Sequence, residues 1–228
     1  MITNSLFSYG VDKFMSNCSL IVLIMQEKKF TRNKQEKIEK IYDVFFDLVL
    51  KNGYDKTSTN NVAEASGLSI GTVYRYFPEG KKDIIRKYFE KAVETIMEIE
   101  DFKNLKPNDI PSAFRGFISN LLRNNYANKG YNLAFRSAIL SDPNLLDAHN
   151  KRVFDLSKDF VKILMKSNEF FKVREEQRLI RGFVFIYNLS NAIIYHHIFL
   201  KKFFEKDEDL IDYLSNLMGF TIGSLSKM

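Results

Sequence analysis

The sequence predicts an all-α fold of about nine helices, a small three-helix unit in front of a larger helical bundle. Three observations predict it. Four prolines and ten glycines in 228 residues are few, and few breakers mean long uninterrupted elements. Apolar residues recur at three- and four-residue spacing in segment after segment, with no run of period two. The balance of 45% hydrophobic and 27% charged residues is that of a globular chain, long enough for one or two domains around a real core.

The elements follow in order. Ile38, Ile41, Tyr42, Phe45, Leu48 and Val49 mark one face of a helix over about 34–52, closed by Gly53 as a left-handed residue. Ser58 caps a short helix with Val62, Ala63 and Ala65 as its apolar face, and Gly67 breaks it. Ser69 caps the next, which runs to Phe77 and is stopped by Pro78. A long helix spans about 83–101 with Ile84, Ile85, Phe89, Val93, Ile96 and Met97 inward. Further helices are predicted over about 111–128, from Gly130 to before Asp142-Pro143, from an Asn144 cap to 168, over 175–204, and from an Asp207 cap to 224.

Charge excludes a simple electrostatic case for nucleic acid. The net charge is +6, yet residues 27–101 hold 14 basic and 14 acidic side chains and are neutral, while 102–228 hold 19 and 13. A nucleic-acid role must rest on local clusters. The run from Lys28 to Lys40, six basic and two acidic residues, is either an arm along phosphates or a solvated helix start. Cys18 is the single cysteine, so no disulfide framework or cysteine metal site can form within the chain, and a cytoplasmic location is expected. Residues 1–26 stand apart. "CSLIVLIM" is too short to span a membrane and no cleavage site follows, so the segment is either an added N-terminal arm or precedes a natural start at Met25. Residues 183–200 are apolar but interrupted by two Asn, one Ser and two His, which predicts a bundle helix and no membrane partner.

"GLSIGTVYRYF", Gly67 to Phe77, carries the functional signal. Two short helices joined by a glycine-containing turn, with a longer helix behind, make a helix-turn-helix arrangement, whose second helix enters a major groove. On a helical wheel Val73, Phe77 and Ile70 share the seating side. Gly71, Thr72 and Arg75 lie opposite, flanked by Tyr74 and Tyr76. A missing side chain at 71 lets the backbone approach a duplex, Thr72 can bond a phosphate or meet a thymine methyl, the tyrosine hydroxyls suit phosphates, and Arg75 can reach phosphate or guanine.

The segment "GYDKTSTNNVAEASGLSIGTVYRYFPEGKKDI", with its "SxGTxYxYF" portion and following lysine, resembles the DNA-binding region of the TetR family of transcriptional regulators; the resemblance covers about residues 32–101. It implies a DNA-binding unit over 27–82 and a helical ligand-binding and dimerisation region over 83–228. It implies contacts to a double-stranded operator from Ser58, Thr59, Asn60, Ile70, Gly71, Thr72, Tyr74, Tyr76 and Lys81. Two positions depart from the family pattern. Thr59 stands where an aliphatic residue is usual. Ile70 stands where a polar one is common, either to read a thymine methyl or to be buried.

The resemblance further implies a homodimer through the last two helices. There Phe183, Ile186, Tyr187, Ile193, Ile194, Leu210, Leu214, Leu217 and Phe220 exceed one core stripe. It also implies a small-molecule effector, apolar or aromatic, in a pocket among the central helices; Phe114, Phe117, Ile118, Leu121, Tyr126, Phe135, Phe154 and Phe185 are the candidate lining. Repression released by that effector is the expected function. A DNA-bound structural or partner-regulated protein without a pocket is the alternative. No nucleophile elbow, phosphate loop or metal-ligand spacing points to an enzyme, and no cofactor is expected. His196 and His197 are neighbours, about a hundred degrees apart on a helix, and cannot jointly grip an ion.

Overall fold

The computed structural model describes residues 33–96 and 106–224. The N-terminal extension, the start of the basic run at 28–32 and the last turn expected at 97–101 lie outside them. The described residues form ten α-helices and no strand. They are α1 (33–52), α2 (Thr59–Ser66), α3 (Ile70–Tyr76), α4 (Lys81–Ile96), α5 (Ile110–Ala127), α6 (Lys129–Ser141), α7 (Pro143–Ser167), α8 (Glu169–Lys172), α9 (Glu176–Tyr195) and α10 (Asp207–Ser224).

Local chemistry accounts for most helix ends. Gly53 and Gly67 take the left-handed conformation that the sequence asks of them, at φ +84° and +62°. Four boundaries differ from expectation. The cap of α7 is Asp142, two residues before Asn144: its carboxylate accepts the Asn144 N–H at 2.9 Å, and Pro143 takes the first helical position, where no N–H is needed. The break before α6 falls at Asn128, and Gly130 lies within its first turn. The helix expected over 175–204 ends earlier. After Tyr195 it widens into a π-helical turn, His196–Leu200, and Asp207 is the first residue of α10 rather than its cap.

Two cores form. One gathers Tyr42, Phe45 and Phe46 of α1, Val62 of α2, Val73 of α3, Phe77, and Ile84, Ile85 and Tyr88 of α4; Ala134, Ala138 and Ile139 of α6 and Leu145 of α7 join it. Its aromatic rings interlock, with Phe46 and Tyr88 at 4.7 Å and Tyr42 and Phe77 at 5.5 Å between centroids. The other core joins α5, α7, α9 and α10. Phe183, Ile186, Ile194, Leu210 and Leu214, expected at an interface, lie inside this second core. By length and composition Glu176–Leu200 could cross a membrane, but Leu179, Ile180 and Phe183 are buried against the bundle. A bidentate pair of Arg152 on Glu90, 2.7 Å at the second nitrogen, and Lys91 on Glu39 at 2.7 Å fasten α4 to its neighbours on both sides.

Candidate nucleic-acid interface and interior cavity

The short helices α2 and α3 are set by their caps. Ser58 and Asn61 satisfy each other's backbone N–H groups, at 3.1 and 3.0 Å, so α2 starts at Thr59. Gly67 then turns the chain, its N–H on the Glu64 carbonyl and the Leu68 N–H on that of Ala63, both at 3.1 Å. Ser69 Oγ accepts the Thr72 N–H at 3.1 Å and starts α3.

Val73, 0% exposed, and Phe77, 1% exposed, fix the rotation of α3. The other face is then turned out. Ile70 is 38% and Tyr74 46% exposed, Gly71 and Arg75 are exposed, and Thr72 and Tyr76 are half-buried. Ile70 therefore sits on the outer side of α3, not in the core. A methyl placed on Gly71 would meet no atom within 4 Å, so the backbone there lies open. The Thr72 hydroxyl shares a hydrogen bond with Ser69 Oγ at 2.8 Å.

The start of α2 comes to the same side. Ser58 and Asn60 are exposed and Thr59 is half-buried. Thr59 packs on the turn before α4: a Cβ on Gly80 would lie 2.7 Å from Thr59 Oγ1 and 3.6 Å from the Tyr74 ring, and Gly80 has φ +65°. A small polar residue at 59 and a glycine at 80 thus fit one another, which is the local reason for the departure at Thr59. Lys81 is half-buried, its ammonium 3.0 Å from the Tyr54 carbonyl and 4.0 Å from the centre of the Tyr54 ring. Lys87 reaches the Tyr76 carbonyl at 2.6 Å and holds the end of α3.

A cavity of about 280 Å³ lies between α4, α5, α6, α7 and α9. Of the eight residues expected there, Phe114, Phe117, Leu121 and Phe135 line it. Ile118 is fully buried in the second core, on another side of α5. Tyr126 points to the far end of the bundle, where its hydroxyl donates to Asp207 at 3.2 Å. Phe154 and Phe185 are 40% and 55% exposed. Their neighbours Val153 and Ile186 line the cavity instead, a slip of one residue, or about a hundred degrees of helix.

Polar groups that the Phe-rich pattern did not single out share the lining: Asn132 and Arg136 of α6, His149 of α7 and Tyr187 of α9. His149 is boxed by Phe89 at 4.6 Å, Phe135 at 5.7 Å and Tyr187 at 6.4 Å. Burial lowers its pKa to about 4, so the imidazole is neutral at neutral pH. Burial likewise pushes the Tyr187 phenol up, against the opposing charge of Arg136. Tyr88, raised by its own burial, donates to Asn132 Oδ1 at 3.1 Å.

The adjacent histidines have separate work. His197 is buried, accepts the Phe203 N–H on Nδ1 at 3.0 Å and faces Asp207 through Nε2 at 3.1 Å, so Nε2 carries the hydrogen. His196 stacks on Phe203 at 4.4 Å. Together they close the π-helical turn onto α10. Among the described residues no three His, Cys, Asp or Glu side chains gather as a metal site.

Residues 41–88 match the family model described as bacterial regulatory proteins, tetR family. The fatty acid metabolism regulator protein of Bacillus subtilis (strain 168) is 28% identical over 67 residues, 29% of this chain and 34% of that protein. The nucleoid occlusion factor SlmA of Haemophilus ducreyi is 24% identical over 166 residues, 71% of this chain and 80% of SlmA. Among solved structures, a putative TetR-family transcriptional regulator from Syntrophomonas wolfei has the same fold, with a TM-score of 0.64 at 20% identity over 83% of this chain and 96% of that one. The family match falls on α1 to α4, where the caps and the outward face of α3 are built, and the fold extends the likeness to the bundle. Residues 41–88 are thus similar to the tetR family of bacterial regulatory proteins, and the chain as a whole shares the fold of the solved TetR-family structure.

Proposed function

We propose that the protein is a cytoplasmic, sequence-specific DNA-binding transcriptional repressor that acts as a homodimer and leaves its operator when a small, apolar or aromatic molecule enters the cavity. The outward face of α3 carries this reading: Gly71 lies open between exposed Ile70, Tyr74 and Arg75 while Val73 and Phe77 seat the helix from behind. Ser58, Thr59 and Asn60 would meet the backbone beside it, with Thr72, Tyr76 and Lys81 at the edges. In this reading residues 27–82 read DNA and 83–228 bind effector and partner. The division runs through α4, which belongs to both.

That shared helix supports the coupling. Tyr88 sits in the first core and also on the cavity wall, and Phe89, Ala92 and Val93 continue the wall from the same helix. Ile139 of α6 does the same. A ligand that displaces α4 or α6 therefore displaces the packing behind the reading helix. Dimerisation draws support from two exposed stripes, Phe185, Asn188 and Ala192 on α9 and Tyr213, Asn216 and Phe220 on α10, with Phe220 74% exposed. A second reading, a DNA-bound protein without small-molecule input, takes its support from the long alignment with a factor named for nucleoid occlusion.

The test is fluorescence anisotropy on the DNA upstream of the protein's own gene at a stated salt concentration. Tyr74→Ala and Thr72→Ala should each weaken binding by about 1–3 kcal/mol without unfolding the protein. Variants that bind as well as the parent would remove the assignment of that face. A monomer by light scattering at working concentration would remove the paired half-site mechanism.

A further inference from the structure

The cavity wall is lopsided in charge. Among the described residues that line it there is no Asp, no Glu and no Lys, and Arg136 is the one permanently charged side chain. His149, the other basic group on the wall, is held neutral by burial. No carboxylate among the described residues lies within ion-pair distance of Arg136; its guanidinium instead covers the Tyr195 ring, 4.1 Å from the centroid. One helical turn earlier on the same face of α6, Asn132 gives its oxygen to Tyr88 and keeps its amide nitrogen buried without a hydrogen-bond partner. Buried donors ordinarily find acceptors, and a cation beside an apolar space is costly without a counter-charge. Both donors point to the same kind of partner, an acceptor that carries negative charge.

The apolar side of the wall sets the remainder of the molecule. Phe114, Phe117, Leu121, Val153, Phe160 and Phe183 offer only carbon to the space. Its volume of about 280 Å³ is near the small end of ligand sites, which run from about 300 to 1,000 Å³. A cationic ligand finds no acidic group here, and a neutral hydrocarbon offers the half-buried Arg136 fork and the Asn132 amide no acceptor. We propose that the cavity takes a small amphiphilic acid, an apolar chain or ring whose carboxylate is held by the Arg136 fork and the Asn132 amide. This rests on the effector reading above and names the chemistry of that effector.

The experiment titrates the full chain, without DNA, with decanoate, decan-1-ol and decylammonium by calorimetry at pH 7.5. Decanoate should bind at least about tenfold tighter than the alcohol, the margin of one charge-assisted hydrogen bond, and the amine should bind weakest. Arg136→Met should abolish the preference, Arg136→Lys should keep part of it, and Asn132→Leu should reduce it by less than Arg136→Met; melting of each unliganded variant checks that it is folded. Equal binding of acid and alcohol, a preference that survives Arg136→Met, or no binding by any of the three overturns the proposal. Operator release by decanoate is measured separately. An acid that binds through Arg136 but leaves the DNA complex intact supports the head-group site and overturns the effector reading instead.

Discussion

The unit of α1 to α4 and the bundle of α5 to α10 are both helical and both carry a buried core, yet they differ in how tightly local sequence determines them. In the first, short elements are bounded by residues that can do little else. Ser58 and Ser69 accept N–H groups at helix starts, and Gly67 takes a left-handed turn. The core behind them is filled, with Phe45, Phe46 and Ile84 fully buried. In the second, long helices leave a cavity of about 280 Å³, and which residue faces it depends on rotations that no cap sets. The first core is closed around its aromatic rings, whereas the second leaves a space beside it.

Large-to-small substitution gives the largest expected effect and tests that contrast directly. Phe46 is 0% exposed and rests against Phe45, Tyr88 and Tyr131 at 5.2, 4.7 and 4.9 Å. Phe46→Ala should cost about 3–5 kcal/mol, because the space it opens has nowhere to collapse. Phe117→Ala, on the cavity wall beside the second core, enlarges a space that already exists, and a smaller loss of roughly 1–2 kcal/mol is expected. Urea denaturation of both variants measures the difference. Equal losses would mean that the two regions are packed alike.

The next effect reads the cavity wall. His149 has a folded-state pKa of about 4, below the ordinary value near 6.5 of an unfolded imidazole. Between those values the unfolded chain binds a proton that the folded chain does not, so stability is full above about pH 6.5 and falls as pH drops towards 4. The loss from this group is at most roughly 3 kcal/mol. His149→Phe should flatten that part of the stability profile, measured by urea midpoints between pH 7 and 4. An unchanged slope would show that the imidazole is solvated where it stands.

A cap in the first unit gives a smaller change. Ser58→Ala removes the acceptor for the Asn61 N–H and should cost about 1 kcal/mol, read as a shift in thermal midpoint. The caps were legible in the sequence because each needs only three or four consecutive residues. The same rule misplaced the start of α7: Asn144 can cap, but Asp142 before Pro143 does so better, since proline fits the first helical position. The cavity was legible in kind and only partly in detail. Phe114, Phe117, Leu121 and Phe135 were found by their weight and spacing, whereas Phe154 and Phe185 are one residue off the inward line. Arg136 and His149 give no sign in the sequence of facing a cavity, because a lone charge or imidazole on a helix reads as solvated or packed until its neighbours are known. The i, i+4 pair of Asn132 and Arg136 was the one available signal.

The smallest effect on stability is the sharpest separation of stability from function. Gly71 lies inside α3, exposed, with nothing within 4 Å of where a methyl would stand. Alanine is the better helix former by about 0.5–1 kcal/mol, and no contact opposes it, so Gly71→Ala should raise the thermal midpoint slightly. The same methyl stands on the side that the reading assigns to the groove, between exposed Ile70 and Tyr74. Operator affinity should therefore fall while stability rises. A glycine that the fold would gladly exchange has its reason outside the fold. If the variant is more stable and binds the operator as well as the parent, the open backbone at 71 is not a surface of approach.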